Sequence, residues 1–444
     1  MRAALFASPE VEALFAPEAF VQRMLDFEAA LARAEARAGV IPAAAAEAIA
    51  AACRVERIDV AALLRDAVPA GTPAIPLVRQ LTRQVEGDGA GYVHWGATSQ
   101  DAIDTALVLQ IREALRLLEA GLLAVGSASA ALAERHRATP MAGRTLLQQA
   151  LPITFGLKAA RWLALATRQV EALRALRPRV LVVQLGGAAG TVGSLGGRGI
   201  AVVERLGEEL GLGVPALPWH AERDRVAELA SALGVVAGAM AKIATDLILL
   251  AQSEVGEVAE GSAPGKGGSS TLPQKRNPVD AVEAIAAARL AIGLVPVVLN
   301  GLVQEHERAA GGWQVEWAAI PELFGCAAGA VEHVRAALAG LEVDGARMRA
   351  NLEASGGLIV AESLSFALAA RLGRDAAHAI VAELSRQAAA STLRQVALAD
   401  RRVTAVLSEA DVDAALDPAR YLGSADAFVE RALKDFARLP PMSS

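Results

Sequence analysis

Aromatic side chains are scarce, making up 4% of a 444-residue chain that is 54% hydrophobic. Burial must therefore come mainly from Ala, Leu and Val; Ala and Leu are strong helix formers, so the composition favours close-packed helices over sheets. Cysteine is nearly missing. Cys53 and Cys326 lie far apart and fit no metal-ligand spacing, which argues against a disulfide framework or a metal site and reads as reduced thiols of a cytoplasmic protein. There is no Lys/Arg tract, and the net charge is −6, so the chain lacks the electrostatic footprint for nucleic acid or anionic lipid. Any anionic ligand must be met by local cations. The first ten residues carry a single basic residue, Arg2, and no long apolar core, unlike a secretory signal. The most apolar stretches, residues 229–241 and 284–303, are either short of the ~20 residues a bilayer needs or interrupted by Arg289, and read as buried helices.

The length exceeds the roughly 250 to 300 residues at which single cores stop growing, so more than one domain is expected. Phe20, Met24, Phe27, Leu31 and Ala34 recur at helical spacing, predicting a helix from Pro17 that closes at Gly39. Longer patterns follow over residues 105–137, 152–176, 199–212, 223–260 and 279–308. They predict an all-α protein divided into an N-terminal helical domain (1–104), a central bundle of long helices (105–350) and a C-terminal helical domain (351–444).

Residues 261–278 read Gly-Ser-Ala-Pro-Gly-Lys-Gly-Gly-Ser-Ser-Thr-Leu-Pro-Gln-Lys-Arg-Asn-Pro. This glycine-rich break sets Ser269 and Ser270 shortly before Lys275, with Asn277 leading into the next helix. Backbone amides, an ammonium and a helix N-terminus there suit a carboxylate or a developing dianion. A flexible surface linker is the plainer alternative.

The order of residues decides between them. The segment resembles the signature loop of the fumarase/aspartase/argininosuccinate lyase superfamily. Four further segments follow that superfamily's order: His94-Trp95-Gly96-Ala97-Thr98-Ser99-Gln100-Asp101, Gly143-Arg144-Thr145-Leu146-Leu147-Gln148, Gly186-Gly187-Ala188-Ala189-Gly190-Thr191 and His306-Glu307-Arg308. The resemblance implies a three-domain helical subunit whose central bundles build a twenty-helix homotetramer, with active sites shared between subunits and no cofactor. It implies Ser269 as the proton-transferring group, and Lys275 and Asn277 as holders of substrate carboxylates. Thr98, Ser99 and Gln148 would line the opposite wall. His94, Arg144, Ser270, His306 and Arg308 are the remaining substrate-binding candidates, with Arg276 a weaker cation.

One departure bears on the reaction. Members that eliminate an amine or water usually carry His where this chain has Leu146. A strongly basic leaving group benefits from a general acid, whereas a carboxylate, with a pKa near ~4, needs none. The loss of His therefore points to cycloisomerisation, the opening or closing of a lactone. The segments at 74–78, 218–220 and 305–317 resemble the superfamily's cycloisomerases that act on carboxymuconates. The alternative is an adenylosuccinate lyase-like enzyme releasing fumarate. A non-enzymatic protein on the same scaffold is disfavoured by the intact Ser269, Lys275 and Asn277.

Other readings are structural. His94 fits either a substrate contact or a buried, hydrogen-bonded histidine; His220 fits a structural role, and His136, His333 and His378 fit ordinary helices. Trp313 and Trp317 would share a helix face as core. Asp101 and Asp104 would cap the helix that follows them.

Overall fold

The computed structural model describes residues 2–263, 265–268, 271–272 and 274–441. The all-α expectation holds: helices dominate, and the named strands are four short ones. The principal helices are α1 (Pro17–Arg37), α2 (Ser99–Arg135), α3 (Phe155–Val180), α4 (Gly199–Leu210), α5 (Asp224–Ala251), α6 (Val279–Asn300) and α7 (Gly312–Ala339). Strands β1 (Pro140–Thr145) and β2 (Gln148–Thr154) form an antiparallel hairpin, and β3 (Val258–Ala259) pairs with β4 (Glu342–Val343). The chain divides into two compact units. The first comprises residues 1–121, 169–241 and 283–332, and the second 122–168, 242–282 and 333–444.

Helix α1 forms where its spacing predicts, with Pro17 pre-set for the first turn and Gly39 at φ 69° just beyond its end. Met24, Phe27, Leu31 and Ala34 are buried. In the first unit α1 shares a core with Ile49, Leu63, Leu77, Leu81, Ile103 and Trp313. In the second unit, Leu364, Leu368, Leu384, Leu393, Val403 and Val412 pack a separate C-terminal core.

Several boundaries differ from the sequence pattern for identifiable reasons. Helix α2 starts at Ser99 rather than 105, because Asp101 Oδ2 accepts the Thr98 amide at 2.9 Å while Thr98 O accepts the Asp101 amide at 3.0 Å. Reciprocal capping makes a loop-like polar stretch the first turn. Residues 140–154 form a hairpin where the apolar pattern from 152 suggested only helix, and α3 begins at Phe155. The pattern over 279–308 stops at Asn300, and the 28-residue α7 gathers Trp313, Trp317 and His333, each read as helical, into one helix whose bounds the pattern did not give. Its glycines hid its extent. A Cβ at Gly325 would stand 2.3 Å from Glu12 Oε1, and one at Gly329 would stand 2.3 Å from Phe6 O. These glycines admit the N-terminal segment against the helix rather than breaking it.

By length and composition, α2, α5 and α6 could each cross a bilayer. Helix α2, however, buries Asp101, Asp104 and Glu119, and Glu119 is paired with Arg174 at 2.9 Å and Arg177 at 2.8 Å. Paired charges of this kind belong to a folded core.

The apolar face of α1 also buries Glu35, whose carboxyl oxygens have no hydrogen-bond partner among the described residues. Burial, reinforced by the charge of Glu28, pushes its pKa up to about 9. The folded state therefore holds a proton that the unfolded state loses above its ordinary value of 4.5. Stability from this group is undiminished at acid pH and falls as pH rises towards 9. Glu35→Gln should remove that slope and stabilise the protein at pH 7 by up to about 3 kcal/mol. Denaturant titrations at pH 5 and pH 7 would show the variant's advantage growing with pH; an equal advantage at both would mean that Glu35 is not held neutral.

Candidate active site

In the first unit, three of the resembling segments meet around the start of α2. Asp101 is fully buried, and its carboxylate accepts the amides of Gly186 (2.9 Å), Gly187 (3.0 Å) and Thr98 (2.9 Å). His220 Nε2 lies 2.7 Å from Asp101 Oδ1, and the ring is buried. Asp101 is thus more than a cap: it fixes the glycine-rich turn to the segment carrying Thr98 and Ser99. His220 has the structural environment expected of it.

Arg308 joins the same assembly. Its Nε donates to Gln100 Oε1 at 3.0 Å, and its Nη2 donates to the carbonyls of Ala188 at 3.1 Å and Gly187 at 3.4 Å. These acceptors are neutral, so they orient the guanidinium without cancelling its charge. Two residues earlier, His306 is exposed with φ 48°. Such a backbone is uncommon for a residue with a side chain and marks a constrained turn.

His94 is held from behind. Its Nδ1 lies 2.6 Å from Glu28 Oε1, and Glu28 is buried on α1. Burial alone would lower the imidazole pKa, but the Glu28 charge and hydrogen bond outweigh it and hold His94 above its ordinary value. The backbone at His94 is also in the left-handed region, at φ 57°. The sequence reading did not identify Glu28 as this partner. Its signal was a carboxylate on the apolar face of α1, beside Phe27 and one turn from Leu31.

One turn further into α2, Asp104 meets Arg223, which is buried between two carboxylates. It donates to Asp104 at 2.8 and 3.0 Å and to Glu316 at 2.9 and 2.5 Å, while its guanidinium carbon lies 4.6 Å from the centre of the Trp219 ring. Trp313 donates its indole N–H to Asp104 at 2.9 Å and meets Trp317 edge-on at 4.8 Å, as core residues.

In the second unit, the β1–β2 hairpin turns through Leu146 and Leu147, with φ 51° and 64°. Two-residue hairpin turns favour Asn and Gly at such positions. Here two leucines occupy them with 97% and 73% of their surfaces exposed. Gln148 is exposed beside the tip, paired with Thr145. Arg144 is not an unmatched cation: it gives both arms to the buried Glu257, at 2.7 and 2.9 Å. Asn351 supports Glu257 at 2.8 Å.

Ser269 and Ser270 lie outside the described residues. Of their neighbours, Lys275 is exposed and the Asn277 amide donates to Gly267 O at 2.9 Å. Arg276 is occupied by Glu342 at 2.8 and 3.0 Å and by the Glu260 carbonyl at 2.7 Å. Lys266 pairs with Asp280 and, at 3.5 Å, with Glu260.

The Glu28–His94 pair generates a prediction. Glu28→Gln should lower the His94 pKa, because the charge and hydrogen bond that outweigh burial are weakened. Histidine-selective NMR titration reads this directly; an unchanged value would mean that Glu28 does not control the ring.

The fold and these segments agree with the comparisons to known proteins. The family model described as "Lyase" matches residues 6–293, and that described as "Adenylosuccinate lyase C-terminus" matches residues 357–432. The chain is 51% identical to the 3-carboxy-cis,cis-muconate cycloisomerase of Pseudomonas aeruginosa, over 97% of this chain and 95% of that one. It is 47% identical to the enzyme of the same name from Bradyrhizobium diazoefficiens, over 98% of each. The crystal structure of the 3-carboxy-cis,cis-muconate lactonizing enzyme from Pseudomonas putida superposes with a TM-score of 0.94 at 45% identity, covering 99% of both chains. With this likeness along nearly its whole length, the chain belongs to the fumarase/aspartase lyase superfamily and to the cycloisomerase family within it, and it is an enzyme.

Proposed function

We propose that the enzyme lactonises 3-carboxy-cis,cis-muconate to 4-carboxymuconolactone, a step of protocatechuate degradation by the beta-ketoadipate route. The observation that carries this reading is the hairpin tip. Where eliminating relatives place an acid, this protein presents Leu146 on an exposed turn. A carboxylate oxygen joining or leaving carbon needs no proton there.

In the forward direction one substrate carboxylate folds back onto the diene and its oxygen forms the new C–O bond. The electron pair displaced from the double bond takes a proton at the adjacent carbon. Ser269 supplies that proton, and Lys275 with the loop amides stabilises its alkoxide in a water-poor site. Asn277 and Ser270 hold a carboxylate on the same loop. His94, whose protonated form Glu28 favours, and Arg308, oriented by neutral acceptors, meet the other negative charges, while Thr98 and Ser99 complete that wall. Gln148 and Arg144 belong to the wall bearing the leucine tip, with Arg144 orienting it through Glu257. His306 contributes from its constrained turn.

The reading includes the three-domain division at residues 104 and 350 and a soluble, cytoplasmic homotetramer without metal or cofactor. Val282, Leu290, Ile292, Val297 and Leu299 of α6 are exposed in the single chain, an apolar face that burial between subunits would stabilise.

The test is direct. Purified protein with 3-carboxy-cis,cis-muconate and a chelator should consume the diene's ultraviolet absorbance and yield 4-carboxymuconolactone. Fumarate released from adenylosuccinate, without lactone, would favour the elimination reading. Ser269→Ala should lower kcat by roughly 10² to 10⁴-fold or more while leaving the assembly intact. Full activity in that variant would remove Ser269 from the mechanism.

A further inference from the structure

The cavity beneath the hairpin tip contains a cation that this mechanism leaves unused. It encloses about 500 Å³ and its lining includes Arg144, Leu146, Leu147, Lys158, Asp246 and Leu250. Two of its charges are already committed. Arg144 is matched by Glu257. Asp246 accepts the Trp162 indole N–H at 2.7 Å and pairs with Lys242, one turn earlier on α5. Lys158, in the first turn of α3, has the weaker share: its Nζ stands 3.9 Å from Asp246 Oδ1, beyond hydrogen-bond reach. Two lysines against one aspartate, beside a neutral Arg144–Glu257 pair, leave this wall with a net positive charge.

We infer that Lys158 binds a carboxylate of the substrate from within this cavity and so helps select a tricarboxylate over dicarboxylates. The inference rests on the cycloisomerase reading, which brings the Arg144–Gln148 segment to the active site. Its chemistry follows from the surroundings. Burial lowers the Lys158 pKa, Asp246 offsets part of that, and Lys242, Arg161 and Arg144 lower it again. An ammonium in such a setting gains more from an arriving anion than one already matched. The neighbouring Leu146 and Leu147 offer no charge to compete for the anion.

Lys158→Gln and the wild type would be compared in steady-state lactonisation. Lys158→Met, which keeps the straight aliphatic stem, gives the same comparison where the glutamine variant fails to fold. Loss of the ammonium should raise KM for 3-carboxy-cis,cis-muconate at least tenfold with kcat changed less than threefold, and Lys158→Arg should restore KM to within threefold of wild type. KM unchanged in the neutral variants would overturn the inference. So would a fall in kcat without a rise in KM, the pattern of a purely structural lysine. A wild-type enzyme inert towards this substrate would instead overturn the functional reading on which the inference stands.

Discussion

The first unit is organised by the burial of two carboxylates, Asp101 and Asp104, at the start of α2. A buried carboxylate must find several donors or a cation, because its loss of hydration is large. Here donors come from distant parts of the chain, Gly186, Gly187 and His220 for Asp101 and Arg223 and Trp313 for Asp104, with Gln100 adding one from the same helix. Satisfying these two groups therefore fixes the glycine-rich turn, the approach to α5 and the start of α7 against one helix end. Such networks give positional specificity as much as stability, since a half-satisfied version is worse than an apolar one.

The same arrangement explains how a flexible motif becomes a rigid one. Thr98 and Ser99 lie where a helix opens, and their position depends on Asp101 accepting the Thr98 amide. Arg308 is aimed by the amide oxygen of Gln100 and by carbonyls of the turn that Asp101 holds. The first unit thus positions its candidate polar groups through neutral or fully paired supports, leaving the charge of Arg308 available. His94 uses a different device, a buried carboxylate on α1 that favours the imidazolium. In both cases preorganisation comes from groups behind the candidate contacts.

Much of this was legible in the sequence, but unevenly. The helical class followed from abundant Ala and Leu, and α1 from its spacing and its Pro17 start. The resembling segments at 94–101, 186–191 and 306–308 meet in the structure, although no periodicity could have shown that three stretches so far apart share one network. The partners were harder to see. Glu28 and Glu35 lie on the apolar face of α1, a hint of burial that names no partner, and Glu257 sits in loop sequence where nothing local separates a buried carboxylate from a solvated one. The extent of helix α7 was hidden because its glycines serve close backbone approach, a tertiary reason that imitates a helix-breaking signal. The hairpin was hidden because Leu146-Leu147 lacks turn residues altogether.

That last absence links fold to chemistry. Each leucine in the left-handed region costs about 1 to 2 kcal/mol relative to its favoured backbone, and exposing its side chain forgoes burial as well. Asn-Gly would relieve both penalties and build the same hairpin. A turn that keeps two leucines against these penalties is serving something other than the stability of the isolated chain. If relatives that expel a basic leaving group need an acid at this tip, a tip without one must exclude water and proton donors, lest a carboxylate be protonated when it should attack. Apolar side chains meet that requirement and histidine does not. The strain is thus consistent with a site in which the oxygen nucleophile stays ionised.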